Sequence, residues 1–127
     1  MIFVEMSEWE VPMKQVINIM KALGEENRFR IVMMLRERPL CVCEICSVLE
    51  ISFSTVSSHL KQLSYAGLVE SQKDGRWVMY RLAEDAFVPE LLKLIMSRFN
   101  DTKQLEMDRQ LVLKATPEKC SALLRME

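Results

Sequence analysis

The sequence has no hydrophobic run long enough to cross a bilayer. Its most apolar stretches, "IVMML" at 31–35 and "LLKLIM" at 91–96, fall far below the roughly 20 residues that a spanning helix needs, so an integral membrane protein is excluded. The opening "MIFVEMSEWEVPMK" carries three glutamates and no basic n-region, and does not read as a secretory leader. Cytoplasm is the expected location. Internal repeats and low-complexity tracts are also missing, histidine occurs once (His59), and the formal net charge is only −1. What is present is an apolar half of 127 residues, enough for one core or for a small domain with a helical extension. Four cysteines in a reducing compartment stay thiols, which favours metal or redox chemistry over a disulfide framework.

Period and punctuation order the elements. Met13, Val16, Ile17, Met20 and Leu23 repeat at helical spacing after Pro12, with Gly24 expected as a left-handed cap. A second helix is predicted from Glu26 to Arg38, stopped by Pro39, and a third from Val42 to Leu49 with Ile45, Val48 and Leu49 inward. After a three-residue turn, Ser52 caps a fourth helix whose inner face is Val56, Leu60 and Leu63 and whose terminator is Gly67. Its outer face carries Ser54, Thr55, Ser57, Ser58, Lys61 and Gln62, small hydrogen-bonding groups rather than long solvating charges. "LVESQKDGRWVMYRLA" then alternates with period two about Asp74-Gly75, predicting a β-hairpin tipped by Lys73 and Arg76. Further helices are expected at Pro89–Phe99, in "KQLEMDRQLVLK" and after Pro117. The fold class is therefore mainly α with a small β-hairpin, divided as 1–100 and a C-terminal helical extension, 101–127.

Two helices joined by a short turn and followed by a hairpin have the layout of a winged helix-turn-helix. Lys61, Lys73, Arg76 and Arg81 outnumber Glu70 and Asp74 between Ser52 and Leu82, so the basic excess is local. A helix bearing hydroxyls and amides suits the major groove, where base-edge donors and acceptors are distinguishable. Lys73, Arg76 and Arg81 suit phosphates, and His59 is read as a polar contact near phosphate. A helical bundle with a surface hairpin is the competing layout. Trp77 and Tyr80 are expected to anchor the hairpin to the body.

The stretch "ALGEENRFRIVMMLRERPLCVCEICSVLEISFSTVSSHLKQLSYAGLVESQKDGRWVMYRL" strongly resembles the ArsR/SmtB family of metal-sensing repressors. "STVSSHLKQLSYAGLV" and "DGRWVMYRL" look like its recognition helix and wing, and "LCVCEIC" like the arsenite motif of its arsenic-responsive members. The resemblance implies a homodimer paired through its first and last helices. It also implies a repressor of its own resistance operon that binds double-stranded operator DNA and leaves it when metal binds; separately, an enzyme is not expected, because "CEIC" lacks the βαβ setting of thiol oxidoreductases. Family recognition helices often carry glutamine and arginine where this chain has Phe53 and Ser58, so operator preference does not carry over. The histidine-containing site of SmtB-like zinc sensors is absent from 84–100.

Cys41, Cys43 and Cys46 supply three thiolates, which suit a soft, three-coordinate ion such as As(III) or Sb(III). Zinc or cadmium would call on His59 or the distant Cys120 for a fourth ligand, and a cadmium-, lead- or zinc-responsive repressor on the same scaffold is the alternative reading. At 100° per residue Cys43 and Cys46 share a face, but Cys41 lies about 160° from Cys43 and about 140° from Cys46. The three converge only if Cys41 sits before or in the first turn, and binding there should distort that turn. A helix N-terminus should also lower the Cys43 pKa. Cys120 is read as core, the ten methionines as core rather than a copper site, and "CEIC" as no oxidoreductase motif because its βαβ setting is missing. A repressor switched by cysteine oxidation is the remaining alternative.

Overall fold

The structure, a computed structural model, describes residues 12–85, 87–99 and 102–126. Most of the leader reading and the 100/101 domain boundary fall outside the described residues. Helix α1 (Met13–Leu23) follows Pro12, and after two intervening residues α2 (Glu26–Leu35) starts with the Glu25 carboxylate accepting the Arg28 amide at 2.8 Å. Gly24 between them has φ −76°, so it is not the left-handed cap expected. Its smallness serves close approach instead, because a Cβ there would stand 3.2 Å from the Met20 carbonyl oxygen. Helix α2 ends at Leu35 rather than Arg38, since the residue before Pro39 avoids helical backbone and Arg36 and Glu37 unwind ahead of it.

Strand β1 (Leu40–Cys41), which the sequence did not announce, runs straight into α3 (Val42–Leu49). Glu50 takes φ 57° at the end of α3, a left-handed position usually left to glycine or asparagine. Ser52 then caps α4 (Phe53–Tyr65) by accepting the Thr55 amide at 3.2 Å, and Gly67 at φ 77° ends it. Strands β2 (Val69–Asp74) and β3 (Trp77–Leu82) form the predicted hairpin about Gly75, φ 61°. All three strands are antiparallel in the order β1-β3-β2, with Leu40 opposite Tyr80 and Cys41 opposite Met79.

Helix α5 (Phe87–Ser97) begins two residues before the expected Pro89, with the Asp85 carboxylate holding the Val88 amide at 3.0 Å. Helices α6 (Lys103–Lys114) and α7 (Pro117–Met126) fold back on α2 and α3. Ile31, Ile45, Val56, Leu60, Leu63 and Leu68 are fully buried at the centre, and α6 adds Val112 to the same core. A forked ion pair fixes that return: Arg30 donates through Nε and Nη2 to the two oxygens of buried Asp108, each at 2.9 Å. The predicted inner faces of α3 and α4 are buried as expected. The methionine reading needs correction, because Met13, Met20 and Met107 are exposed and α1 turns Met13, Ile17 and Met20 outward.

Candidate thiol site and nucleic-acid interface

Cys41 is the N-cap of α3, extended at φ −87°, ψ 166°, so it lies before the first turn as the thiol spacing required. From that position its side chain reaches what an in-helix residue could not. The Cys41 and Cys43 sulfurs stand 2.9 Å apart, and the Cys43 thiol also faces the Pro117 carbonyl oxygen at 3.7 Å. All four cysteines are free and buried. Cys41 and Cys43 share an apolar cluster with Cys120 of α7, flanked by Trp77 and Met79 of β3 and by Ala115, whereas Cys46 packs into the main core. His59 is elsewhere, beside Arg28 and Glu25 at 3.5 and 3.9 Å, and is no ligand candidate for this cluster.

Burial governs the thiol chemistry here. It pushes Cys41 well above its ordinary value, reinforced by the hydrogen bond to Cys43, and pushes Cys46 up to about 11 and Cys120 upward. At Cys41, the N-cap of α3, desolvation is the dominant influence on the thiol. Thiols, not thiolates, occupy these positions at neutral pH. Among the described residues, no group of three or more His, Cys, Asp or Glu side chains stands in an arrangement that could hold a metal ion. Four-coordinate ligands at 2.3 Å from one ion lie about 3.8 Å apart. The Cys41–Cys43 pair would have to open to reach that spacing.

Glu44, fully buried, ties this cluster to its surroundings. One carboxylate oxygen accepts the Cys41 amide at 3.0 Å and the other accepts Arg38 Nη2 at 2.7 Å. The same nitrogen donates to the Val112 and Ala115 carbonyl oxygens at 2.9 and 2.8 Å, capping the C-terminus of α6. Sequence reasoning missed Glu44 and Arg38. A capping-box spacing, with glutamate three residues after Cys41, was the available signal.

Helices α3 and α4 with the β2–β3 hairpin make a winged helix-turn-helix. On α4, Ser54, Thr55, Ser58, Lys61 and Gln62 are exposed, while Ser57 and His59 are half-buried. The hydroxyl of Thr55 is engaged with that of Ser52 at 2.8 Å. Lys73 and Arg76 are exposed at the hairpin, with Arg76 stacked over Trp77 at 4.8 Å from the ring centre. Arg81 instead pairs with Glu70 and Glu84 at 3.3 and 3.4 Å. Lys21 and Arg28, unmarked in the sequence, line a cleft of about 450 Å³ together with Lys61, Gln62 and Tyr65.

Residues 25–71 match the model of the bacterial regulatory protein, arsR family. The chain is 43% identical over 68 residues to the arsenical resistance operon repressor of Escherichia coli, covering 53% of this chain and 58% of that one. It is 36% identical over 83 residues to an uncharacterized HTH-type transcriptional regulator of Methanocaldococcus jannaschii, covering 65% of this chain and 92% of the relative. Among solved structures, it is similar to the homodimeric winged helix-turn-helix DNA-binding domain of a possible ArsR-family regulator from Mycobacterium bovis. That likeness has TM-score 0.63 and 29% identity, covering 67% of this chain and 78% of the other. The chain spans 58–66% of the length of the first curated arsenic-resistance relatives it matches. With a winged helix-turn-helix at its centre and a relative matched over nearly its whole length, the chain belongs to the arsR family of bacterial regulatory proteins.

Proposed function

We propose that this protein is a cytoplasmic, homodimeric repressor that binds operator DNA and is released by As(III) or Sb(III) held by Cys41, Cys43 and Cys46. The observation that carries the reading is the Cys41–Cys43 sulfur pair at 2.9 Å, placed at the start of the helix that supports α4. Thiols whose ionisation burial opposes, as at Cys41 and Cys46, suit this ligand class. Neutral arsenous acid condenses with three thiols, each sulfur replacing one hydroxyl and each thiol proton leaving in a water molecule, so no net proton is released. A divalent cation must instead expel the protons, at a cost that grows with thiol pKa.

Convergence of the three sulfurs draws Cys41 out of its present position. That movement breaks the hydrogen bond from the Cys41 amide to Glu44 and disturbs both the start of α3 and Met79 of the wing, which pairs with Cys41. We assign base and backbone contacts to Ser54, Thr55, Ser57, Ser58, His59, Lys61 and Gln62 on α4, and phosphate contacts to Lys73, Arg76 and Arg81. Residues 1–100 would form the DNA-binding and dimerising unit, with 101–127 as its helical extension. The outward apolar residues of α1 (Met13, Ile17, Met20) and Leu94 of α5 support pairing through the first helix and the last helix of that unit.

Fluorescence anisotropy of the reduced protein on DNA from its own promoter tests the reading, with separate titrations of arsenite, antimonite, cadmium and zinc. Release at near-stoichiometric arsenite or antimonite is expected. Tight DNA binding that neither arsenite nor antimonite disturbs would remove metalloid sensing from this scaffold.

A further inference from the structure

The thiols buried around α3 number four. Cys41 and Cys43 pack in one cluster with Cys120, which comes from α7, about 75 residues away in sequence, while Cys46 lies in the main core one turn further along α3. Cys120 is 4% exposed, and it is close enough to Cys43 and Cys46 for electrostatic interaction with each. Two independent contacts bring α7 to this place. The Pro117 carbonyl oxygen at its first turn faces the Cys43 thiol, and Arg38 clamps the Ala115 carbonyl just before it to the Glu44 carboxylate. Cys120 thus packs against two thiols with a third within electrostatic range, and its own thiol is hydrogen-bonded to Ser47.

We propose that Cys120 is a ligand of the metalloid site, able to provide the third sulfur beside Cys41 and Cys43. This inference rests on the metalloid reading above and extends it from one helix to two. A three-coordinate ion then has four sulfurs to draw on, with Cys46 and Cys120 sharing the third place. The bond balance is that of the α3 trio: the Cys120 sulfur replaces one hydroxyl of arsenous acid, and its proton leaves in water. Ligation through Cys120 bonds α7 covalently to α3, so the C-terminal extension becomes part of the sensor.

The test compares Cys46→Ser, Cys120→Ser and the double variant, read by arsenite quenching of Trp77 emission in a Trp9→Phe background, since Trp77 lies against the cluster. Either single variant should bind arsenite within about tenfold of the parent, and the double variant should lose at least a hundredfold, as expected when two thiols remain where three are needed. Direct evidence comes from Cys46→Ser, which keeps Cys120: arsenite should slow alkylation of Cys120, read by peptide mass, at least tenfold. Loss in Cys46→Ser as large as in the double variant would overturn the proposal. Cys120 alkylation in Cys46→Ser unaffected by saturating arsenite would do the same, and neither depends on how well Cys120→Ser folds. Failure of the parent protein to bind arsenite at all would overturn the metalloid reading together with this one, whereas parent binding that needs Cys46 would remove only Cys120.

Discussion

Arg38 and Glu44 meet at 2.7 Å, and the pair joins the C-terminus of α6 to the N-terminus of α3. Glu44 has no solvent exposure, so its oxygens rely on Arg38 and the Cys41 amide for hydrogen bonds. Replacing Glu44 with alanine leaves Arg38 and the Cys41 amide short of a partner. We expect a loss of about 3 kcal/mol, in the range for breaking a buried pair from one side. Urea denaturation measures it, and a change under 1 kcal/mol would contradict the role given to this carboxylate.

Substituting Cys41 or Cys43 by serine should leave DNA binding intact and abolish release by arsenite. Serine is itself a good N-cap, so Cys41→Ser preserves the start of α3. Anisotropy titrations of the two variants check this, and normal arsenite release in both would rule out the thiol site.

Stability should fall at high pH. Burial raises the Cys46 thiol from 9.0 to about 11, so the folded chain holds a proton that the unfolded chain has begun to lose above pH 9. The contribution is intact below pH 9 and disappears as pH climbs through about 11. The midpoint of urea unfolding should drop more steeply between pH 9 and 10.5 in the parent than in Cys46→Ala, and parallel curves would contradict it.

Lys73→Ala and Arg76→Ala should weaken DNA binding for all sequences alike and reduce the salt-dependence slope by about 1 each. Gln62→Ala should instead lower discrimination between operator and random DNA, by about 1–3 kcal/mol for a lost base contact. Competition anisotropy at several salt concentrations separates these effects, and an unchanged slope for both wing variants would remove them from the phosphate contacts.

Much of this architecture was legible because local signals agreed. The α3 boundaries, the Ser52 cap, the Asp74-Gly75 hairpin and the Val56–Leu60–Leu63 face all follow from period and punctuation. The sequence did not reveal β1, because two residues carry no period, nor the left-handed Glu50, an unusual residue there. Gly24 misled because its role is close approach rather than positive φ. At the thiol site, the position of Cys41 followed from angular spacing together with the expectation that three thiols serve one ion. The arrival of Cys120 did not, since it depends on Arg30–Asp108 and on Arg38 holding the Val112 and Ala115 carbonyls, contacts between residues far apart in sequence.

The pairing of Cys41 with Met79 gives one residue two allegiances, to a thiol cluster and to a strand of the wing. A residue so placed makes the proposed control reciprocal. If moving Cys41 weakens the grip on DNA by some factor, then DNA, by holding the wing in place, weakens arsenite binding by the same factor. Protein on its operator is then the less sensitive detector, and free protein in the cell competes first for the metalloid. Under the proposed function, the concentration at which genes respond would be set by how much of the protein is off DNA as well as by the thiols themselves.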